Sequence, residues 1–389
     1  MTERLYYHDS YVREFTASVV EVADGGMVAY LDRTAFYPAS GGQPFDIGGL
    51  GVARVIEVVD EDDRVAHKLD RAVEPGLVTG RVDWGRRFDH MQQHTGQHLL
   101  SAVFEELFGM KTLSFHMGAE VSTIELGAPG LEAAQIVAVE RRANELIAEN
   151  REVLVTFEDA SAVEGLRKAS ERAGTLRIIS IAELDRSACG GTHVRRTGEI
   201  GSILTRKLDM VRGNVRIEFV CGLRAVARSR AEFDLLNGVA RAYSCSLEEA
   251  PKMAAANVER VAELDKTRRR MASELATFEG QAFYDSAVVD SKGIRRGIRR
   301  GPINEETRAF ANAFTSPGKA ALLWVCDDPP SFMLAASKDS GLNAGTMVKA
   351  ALAEVGGRGG GSPVSAQGSA PSREALAQVE ARIIGTWLS

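Results

Sequence analysis

Two short histidine-containing motifs, far apart along the chain, constrain the fold more than any other feature. The first runs His90-Met-Gln-Gln-His94-Thr-Gly-Gln-His98, and the second is Cys189-Gly-Gly-Thr-His193. On a helix, positions four apart lie on one face, so His94 and His98 can present two imidazoles to one ion, and His90 continues the same stripe. The glycine loop of the second motif adds one thiolate and one imidazole. We therefore predict a tetrahedral zinc site with the ligands His94, His98, Cys189 and His193.

Either motif alone is weak evidence for a metal, because a histidine pair on a helix more often serves packing or lies at the surface. The chain has only seven His and four Cys, however, and four of these residues fall in the two motifs. The role of the zinc stays open at this point. Four protein ligands usually close a structural site, whereas a catalytic site keeps one position for water or substrate.

Composition indicates a globular protein with several domains. The chain has 389 residues, of which 44% are hydrophobic, and this excludes disorder as the main state. Its length fits roughly two to four domains. No apolar run reaches the roughly 18 residues that span a bilayer, and residues 1–10 lack a signal-peptide core, so we expect a cytoplasmic protein. The four cysteines are too scattered for a disulfide framework.

The net charge of −6 hides a strong asymmetry along the chain. Residues 1–70 carry six Lys or Arg and thirteen Asp or Glu, whereas residues 186–230 carry ten Lys or Arg and three Asp or Glu. A second basic run follows near the start of the last quarter, with Lys292, Arg295, Arg296, Arg299 and Arg300. Basic surface therefore exists despite the acidic total, and a nucleic-acid partner is not excluded.

Hydrophobic periodicity predicts an α+β protein with four parts. Residues 1–88 alternate short β-branched stretches with glycine and proline turns, which indicates a small antiparallel sheet or barrel. Residues 89–226 mix helical and strand patterns and contain both zinc motifs. Residues 227–285 have a helical pattern throughout, typical of a hairpin or a short coiled coil that links two globular parts. Residues 286–389 alternate again, as in a small α/β unit.

The two motifs resemble the paired His-x3-His and Cys-x3-His signature of the editing domain of alanyl-tRNA synthetases and of free-standing alanyl-tRNA editing proteins. Two further stretches resemble the same family, Thr34-Ala-Phe-Tyr-Pro-Ala-Ser-Gly-Gly-Gln-Pro-Phe-Asp46 and Arg216-Ile-Glu-Phe-Val-Cys-Gly-Leu-Arg224. The stretch Gly356-Gly-Arg-Gly-Gly-Gly-Ser-Pro363 resembles the DHHA1 domain that follows the editing domain in the synthetase and in the long free-standing form. The resemblance covers nearly the whole chain.

The resemblance implies a trans-editing hydrolase with a Zn²⁺ cofactor. Its substrate would be mischarged tRNA(Ala), in the first place seryl-tRNA(Ala) and in the second glycyl-tRNA(Ala). No aminoacylation is expected, since Met1 leads almost directly into the Thr34 motif. The main rival is a non-catalytic tRNA-binding protein with a structural zinc, and a third reading is a metal-dependent hydrolase of an unrelated small ester. A homodimer through the helical part or the DHHA1-like part is also possible.

The resemblance to this family also suggests candidate site residues. Those assigned to catalysis or to serine discrimination are Thr34, Gln43, Gln97 and His116, with Ser114 beside them. Gln97 stands where the synthetase editing site often has a threonine. The Gly41-Gly42-Gln43 loop either forms a turn with positive φ or brings the backbone close to substrate. Candidates for tRNA binding are Arg212, Arg216, Arg295, Arg296 and Arg358.

Overall fold

The computed structural model describes residues 1–169 and 173–388 and divides the chain into two compact units, Met1–Gly238 and Val239–Ser389. Both units combine helices with sheets, which confirms the predicted α+β class. Within the described residues no helix is both long enough and apolar enough to cross a membrane.

The first unit begins with a closed six-stranded barrel, whose strands follow the order β2-β3-β7-β6-β5-β8. In β2 the side chains of Phe15, Ala17 and Val19 are buried while their neighbours point outward, as the period of a half-buried strand requires. The elements here are β1 (Glu3–Arg4), α1 (Leu5–His8), β2 (Glu14–Ala23), β3 (Val28–Leu31), β4 (Arg33–Thr34), β5 (Gly48–Leu50), β6 (Ala53–Glu61), β7 (Arg64–Leu69) and β8 (Gly76–Val82).

A long helix, α2 (Trp84–Phe108), carries the first histidine motif. It begins at the N-cap Asp83, whose side chain accepts from the Arg86 amide, and ends at Gly109 in the left-handed conformation. All residues from His90 to Phe104 are buried, because strands and helices of the same unit surround the helix.

Two antiparallel sheets and one helix complete the first unit around α2. The sheets have the orders β14-β15-β10-β9 and β11-β12-β13. Their core includes Leu99, Val103 and Phe104 of α2. The elements are β9 (Thr112–Met117), β10 (Ser122–Leu126), α3 (Ala133–Ala148), β11 (Val153–Asp159), β12 (Thr175–Ile181), β13 (Asp185–Ala188), β14 (Ile203–Val211) and β15 (Asn214–Cys221).

The second unit has a five-stranded sheet of order β16-β17-β18-β20-β19, with one parallel pair, β16 and β17. Helix α4 (Gly222–Tyr243) leads into this unit. The remaining elements are α5 (Ala250–Ser286), β16 (Arg295–Arg300), α6 (Glu305–Thr315), β17 (Ala320–Asp327), β18 (Pro330–Ala336), α7 (Ala344–Ala353), β19 (Arg358–Gly361), β20 (Ser365–Ser369) and α8 (Arg373–Leu388).

The glycine-rich stretch at residues 356–363 contains a strand. Residues 358–361 form β19 and pair with β20. A Cβ at Gly359 would lie 2.5 Å from the carbonyl oxygen of Gln367, so the glycine is needed for close packing of the pair. The backbone groups of β19 that face β20 are consequently used within the sheet.

Candidate metal centre

Four side chains from two distant segments meet in the first unit. His94 and His98 lie one turn apart on α2, and Cys189 and His193 lie on the loop that follows β13. Their ligand atoms all lie within 4.8 Å of one another, and the three histidines are buried. The structure therefore brings together the four residues predicted as ligands.

The distances between these atoms fit a tetrahedral ion. Sγ of Cys189 lies 3.5 Å from Nε2 of His94 and 3.4 Å from Nε2 of His193. Zinc bonds of about 2.3 Å to sulfur and about 2.0 Å to nitrogen place two tetrahedral ligands about 3.5 Å apart. The donor set and the spacing both fit zinc.

Each histidine is held by a partner on the nitrogen that faces away from the thiol. Nδ1 of His94 lies 2.8 Å from Oε1 of Gln43, Nδ1 of His98 lies 2.9 Å from a carboxylate oxygen of Asp185, and Nδ1 of His193 lies 3.2 Å from the Thr95 hydroxyl. Such outer partners fix the ring orientation and leave Nε2 free for a metal. Phe115 also stacks on the His94 ring, with the centroids 5.3 Å apart.

The electrostatics favour a thiolate at Cys189. Burial opposes ionisation of Cys189, but the neighbouring His94 and His193 rings hold the pKa of its thiol well below the usual value. Burial, together with His94, lowers the pKa of His193 to about 3, so this ring is neutral at pH 7. For His98, burial is outweighed by hydrogen bonds to Asp185 and Cys189, which raise its pKa to about 9.

The loop that carries Cys189 is fixed by Arg177 of β12. The Arg177 guanidinium donates from Nε to the Tyr7 carbonyl at 2.9 Å and from Nη1 to the carbonyls of Cys189 and Gly191 at 2.7 and 2.9 Å. Gly191 packs so closely against the His94 ring that a Cβ there would overlap it. Neither Arg177 nor Asp185 was predicted from the sequence, although both flank the second motif within twelve residues of Cys189.

A cavity of about 600 Å³ opens beside the four residues. It is lined in part by His94, His98, Cys189, Gln97, Ser114 and Arg177. Two buried polar atoms of its lining residues, the Tyr6 hydroxyl and Nη2 of Arg177, have no hydrogen-bond partner within residues 1–169 and 173–388.

The structure brings two of the four candidate catalytic residues to this region. Gln43 holds His94 and also bonds to Thr192, from its Nε2 to the hydroxyl at 2.8 Å and from the Thr192 amide to its Oε1 at 3.1 Å. Gln97 lines the cavity and donates to the Ser101 hydroxyl at 2.9 Å. Gln43 thus orients the His94 ring, a role that the sequence did not predict.

The other two candidates do not line the cavity. Thr34 is fully buried in the first unit, where its hydroxyl lies 2.9 Å from Nε2 of His67. His116 is exposed on β9, while Ser114 of the same strand lines the cavity. Thr34 is therefore engaged in an internal hydrogen bond, whereas Phe115, the residue before His116, stacks on the His94 ring.

The five arginines predicted to bind tRNA are divided between the units. Arg212 is exposed at the turn between β14 and β15, and Arg216 pairs with Glu125 at 3.4 Å. In the second unit, Arg295 donates to the Ala287 carbonyl, Arg296 pairs with Asp290 at 2.7 Å, and Arg358 is exposed on β19. Arg212 and Arg358 are the two exposed members of this set.

Comparison with known proteins supports the same reading. The family model "Threonyl and Alanyl tRNA synthetase second additional domain" matches residues 176–218, which include Cys189 and His193. An alanine–tRNA ligase of Halorubrum lacusprofundi is 33% identical over 96% of this chain and 42% of its own length. The alanyl-tRNA editing protein AlaX-L of Pyrococcus horikoshii is 28% identical over 95% of this chain and 94% of its own. The alanyl-tRNA editing protein Aarsd1 of Bos taurus is 33% identical over 62% of this chain and 59% of its own length.

The extent of the matches differs between these relatives. The chain spans 42% of the length of the ligase but nearly all of the archaeal editing protein. A solved structure, the C-Ala domain of Aquifex aeolicus alanyl-tRNA synthetase, covers 25% of this chain at 23% identity with a TM-score of 0.20, which supports no statement about the fold. The resemblance predicted from the motifs is confirmed, because the chain is similar over most of its length to proteins named as alanyl-tRNA editing proteins.

Proposed function

We propose that the protein is a trans-editing hydrolase that deacylates mischarged tRNA(Ala), with seryl-tRNA(Ala) as the first substrate and glycyl-tRNA(Ala) as the second. The observation that carries the proposal is the group of four possible ligands, of which His94, His98 and Cys189 line a cavity of about 600 Å³. The names of the relatives supply the substrate class. The activity of the whole protein is part of the proposal, because the chain spans less than half of the ligases that it matches.

In this proposal His94, His98, Cys189 and His193 hold a zinc ion. Bound zinc can lower the pKa of water to about 7, polarise an ester carbonyl or anchor the terminal adenosine. The chain itself contributes the orientation of the ligands, through Gln43, Asp185 and Thr95.

Selection of serine over alanine would rest on polar groups in the cavity. Gln97 is 6% exposed and its amide nitrogen is used by Ser101, so its Oε1 remains to accept a hydrogen bond from a serine hydroxyl. Alanine would leave this oxygen unpaired, and sites built to bind a hydroxyl reject such analogues strongly. We expect Gln97→Leu to reduce serine release more than it reduces zinc content.

A deacylation assay separates the enzyme from the non-catalytic alternative. Purified protein is incubated with seryl-tRNA(Ala) and alanyl-tRNA(Ala), and released amino acid is measured. We expect zinc-dependent release of serine, lost in Cys189→Ala and His94→Ala and retained in Cys245→Ala, which replaces a half-buried cysteine of the second unit. Activity that survives in Cys189→Ala would refute the zinc-centred mechanism. Inhibition by uncharged tRNA would argue against a small-ester hydrolase.

The domain bounds, the cellular location and the tRNA contacts are also proposals. We propose an editing domain over residues 89–226 after the 1–88 barrel domain, a helical linker over 227–285, and a DHHA1-like domain over 286–389. A cytoplasmic location follows from the proposed substrate. tRNA contacts are proposed for Arg212, Arg216, Arg295, Arg296 and Arg358. Single Arg→Gln variants at true phosphate contacts would weaken tRNA binding and reduce its salt dependence.

A homodimer through the helical linker is the last of these proposals. Along α5 the large apolar side chains Leu264, Met271, Leu275 and Phe278 are 58–74% exposed, at spacings of a coiled-coil seam. Light scattering should give twice the mass of 42.0 kDa for the wild type. Met271→Glu should give the monomer mass, and a monomeric wild type would rule the dimer out.

A further inference from the structure

His90 belongs to the histidine stripe of α2 but not to the group of ligands. It lies one turn before His94, and the group of possible metal ligands contains only His94, His98, Cys189 and His193. His90 instead lines a second cleft, of about 550 Å³, together with Arg86, Asp89, Gly118 and Arg224. We call this feature the His90 cleft.

The imidazole of His90 is buried without any partner. The side chain is 3% exposed, and Nδ1 has no hydrogen-bond partner in the part of the chain that the structure describes. No hydrogen bond from Nε2 to those residues is formed either. A buried polar ring that makes no hydrogen bond is unfavourable unless a ligand or water completes it.

The charge left over in the His90 cleft is positive. Arg224 binds Asp89 through two hydrogen bonds of 2.8 and 2.6 Å and donates to the Gly118 carbonyl at 2.8 Å, so these two charges cancel. Arg86 donates from Nε to the Phe45 carbonyl at 3.0 Å, and no carboxylate of the described residues pairs with its guanidinium. One arginine charge therefore remains uncompensated beside His90.

The dipole of α2 adds to this positive charge. The cleft lies at the amino-terminal end of the 25-residue helix α2, where the helix dipole is positive. Asp83 caps that end through the Arg86 amide at 3.1 Å, so the free amides alone would not make a site. Burial, with the charges of Arg86 and Arg224, lowers the pKa of His90 to about 3, and the neutral ring can donate one N–H.

We propose that the His90 cleft binds a phosphate group, held by the guanidinium of Arg86 and the imidazole N–H of His90. An oxyanion with several acceptor atoms supplies both the charge and the hydrogen bonds that the cleft lacks. Two sources share this chemistry, a phosphodiester of a nucleic acid and free inorganic phosphate. The first source rests on the proposed function, because it requires a tRNA substrate, whereas the second does not.

The test measures binding rather than deacylation. Zinc-loaded full-length protein is titrated with inorganic phosphate and, separately, with an RNA hairpin of the tRNA(Ala) acceptor stem. Arg86→Gln and His90→Leu should each weaken binding of at least one of these probes tenfold or more. Arg141→Gln, which removes an exposed arginine charge outside the cleft, should change neither. His90→Leu should also unfold no more readily than the wild type, because it replaces an unpaired ring by an apolar side chain.

The outcomes separate the alternatives. If the cleft variants lose affinity for the RNA alone, the natural ligand is a phosphodiester. If they lose affinity for inorganic phosphate alone, the ligand is a free anion. Either result supports phosphate binding in the His90 cleft. Unchanged affinities for both probes in Arg86→Gln and His90→Leu would overturn it, as would an equal loss in Arg141→Gln. If the wild type releases serine while both cleft variants bind normally, only the cleft proposal fails. If the cleft variants lose binding while the wild type releases no serine, only the proposed function fails.

Discussion

Replacing Gly191 by alanine tests the packing of the metal centre directly. A Cβ at Gly191 would overlap Cε1 and Nδ1 of His94 and lie 3.0 Å from Oε1 of Gln43. Non-bonded heavy atoms keep about 3.5–4.0 Å apart, so the His94 ring would have to withdraw by more than about 1 Å. Ligand positions in metal sites tolerate only about 0.2 Å. We therefore expect zinc affinity to fall by at least about 100-fold.

The neighbouring glycine supplies a matched control. A Cβ at Gly190 would meet only the hydroxyl oxygen and Cε1 of Tyr7, at 3.7 and 3.8 Å, which is ordinary contact. Neither glycine has a left-handed φ, so backbone strain does not separate the two variants. Zinc affinity is measured by competition with a chelator, and circular dichroism checks the fold. Equal affinities for Gly190→Ala and Gly191→Ala would refute the account of the loop.

Three further perturbations have defined outcomes. Gln43→Leu should lower zinc affinity about 10- to 100-fold in the chelator assay. Gln43→Glu keeps an acceptor for His94 and should retain most of the wild-type affinity. An equal loss of zinc affinity in both variants would contradict the orienting role of Gln43. Arg177→Met removes three hydrogen bonds to backbone carbonyls and should lower the free energy of unfolding by about 3 kcal/mol in urea titrations. A change below about 1 kcal/mol would show that the Cys189 loop does not depend on Arg177. Burial lowers the pKa of His67 from 6.5 to about 4, so the unfolded chain binds the extra proton between these values. The contribution of His67 to the free energy of unfolding is therefore complete above pH 6.5 and falls by about 3 kcal/mol as the pH drops to 4. In His67→Gln the free energy of unfolding should depend less steeply on pH over this range. An unchanged slope would refute the assignment to His67.

The sequence predicted those features that local spacing determines. Positions 94 and 98 share a helix face by periodicity alone. The glycine pair after Cys189 indicated a tight loop. The fold class followed from alternating helical and strand patterns in both units.

The features that the sequence did not predict depend on contacts between distant segments. Asp185 and Arg177 are ordinary charged residues until β12 and β13 bring them behind His98 and the Cys189 loop. Thr34 belongs to a family motif, yet its hydroxyl is used by His67, more than thirty residues away. The glycines of β19 have the composition of a loop, and only the pairing with β20 explains them.

Zinc titration of the metal-free protein tests the central claim most directly. Bound zinc and the rate of serine release from seryl-tRNA(Ala) are measured on the same samples as zinc is returned. We predict a rate that rises in proportion to bound zinc and reaches its plateau at one ion per chain, since one group of four ligands is found in the described residues. Full serine release from the metal-free protein, or none at full zinc occupancy, would contradict the account.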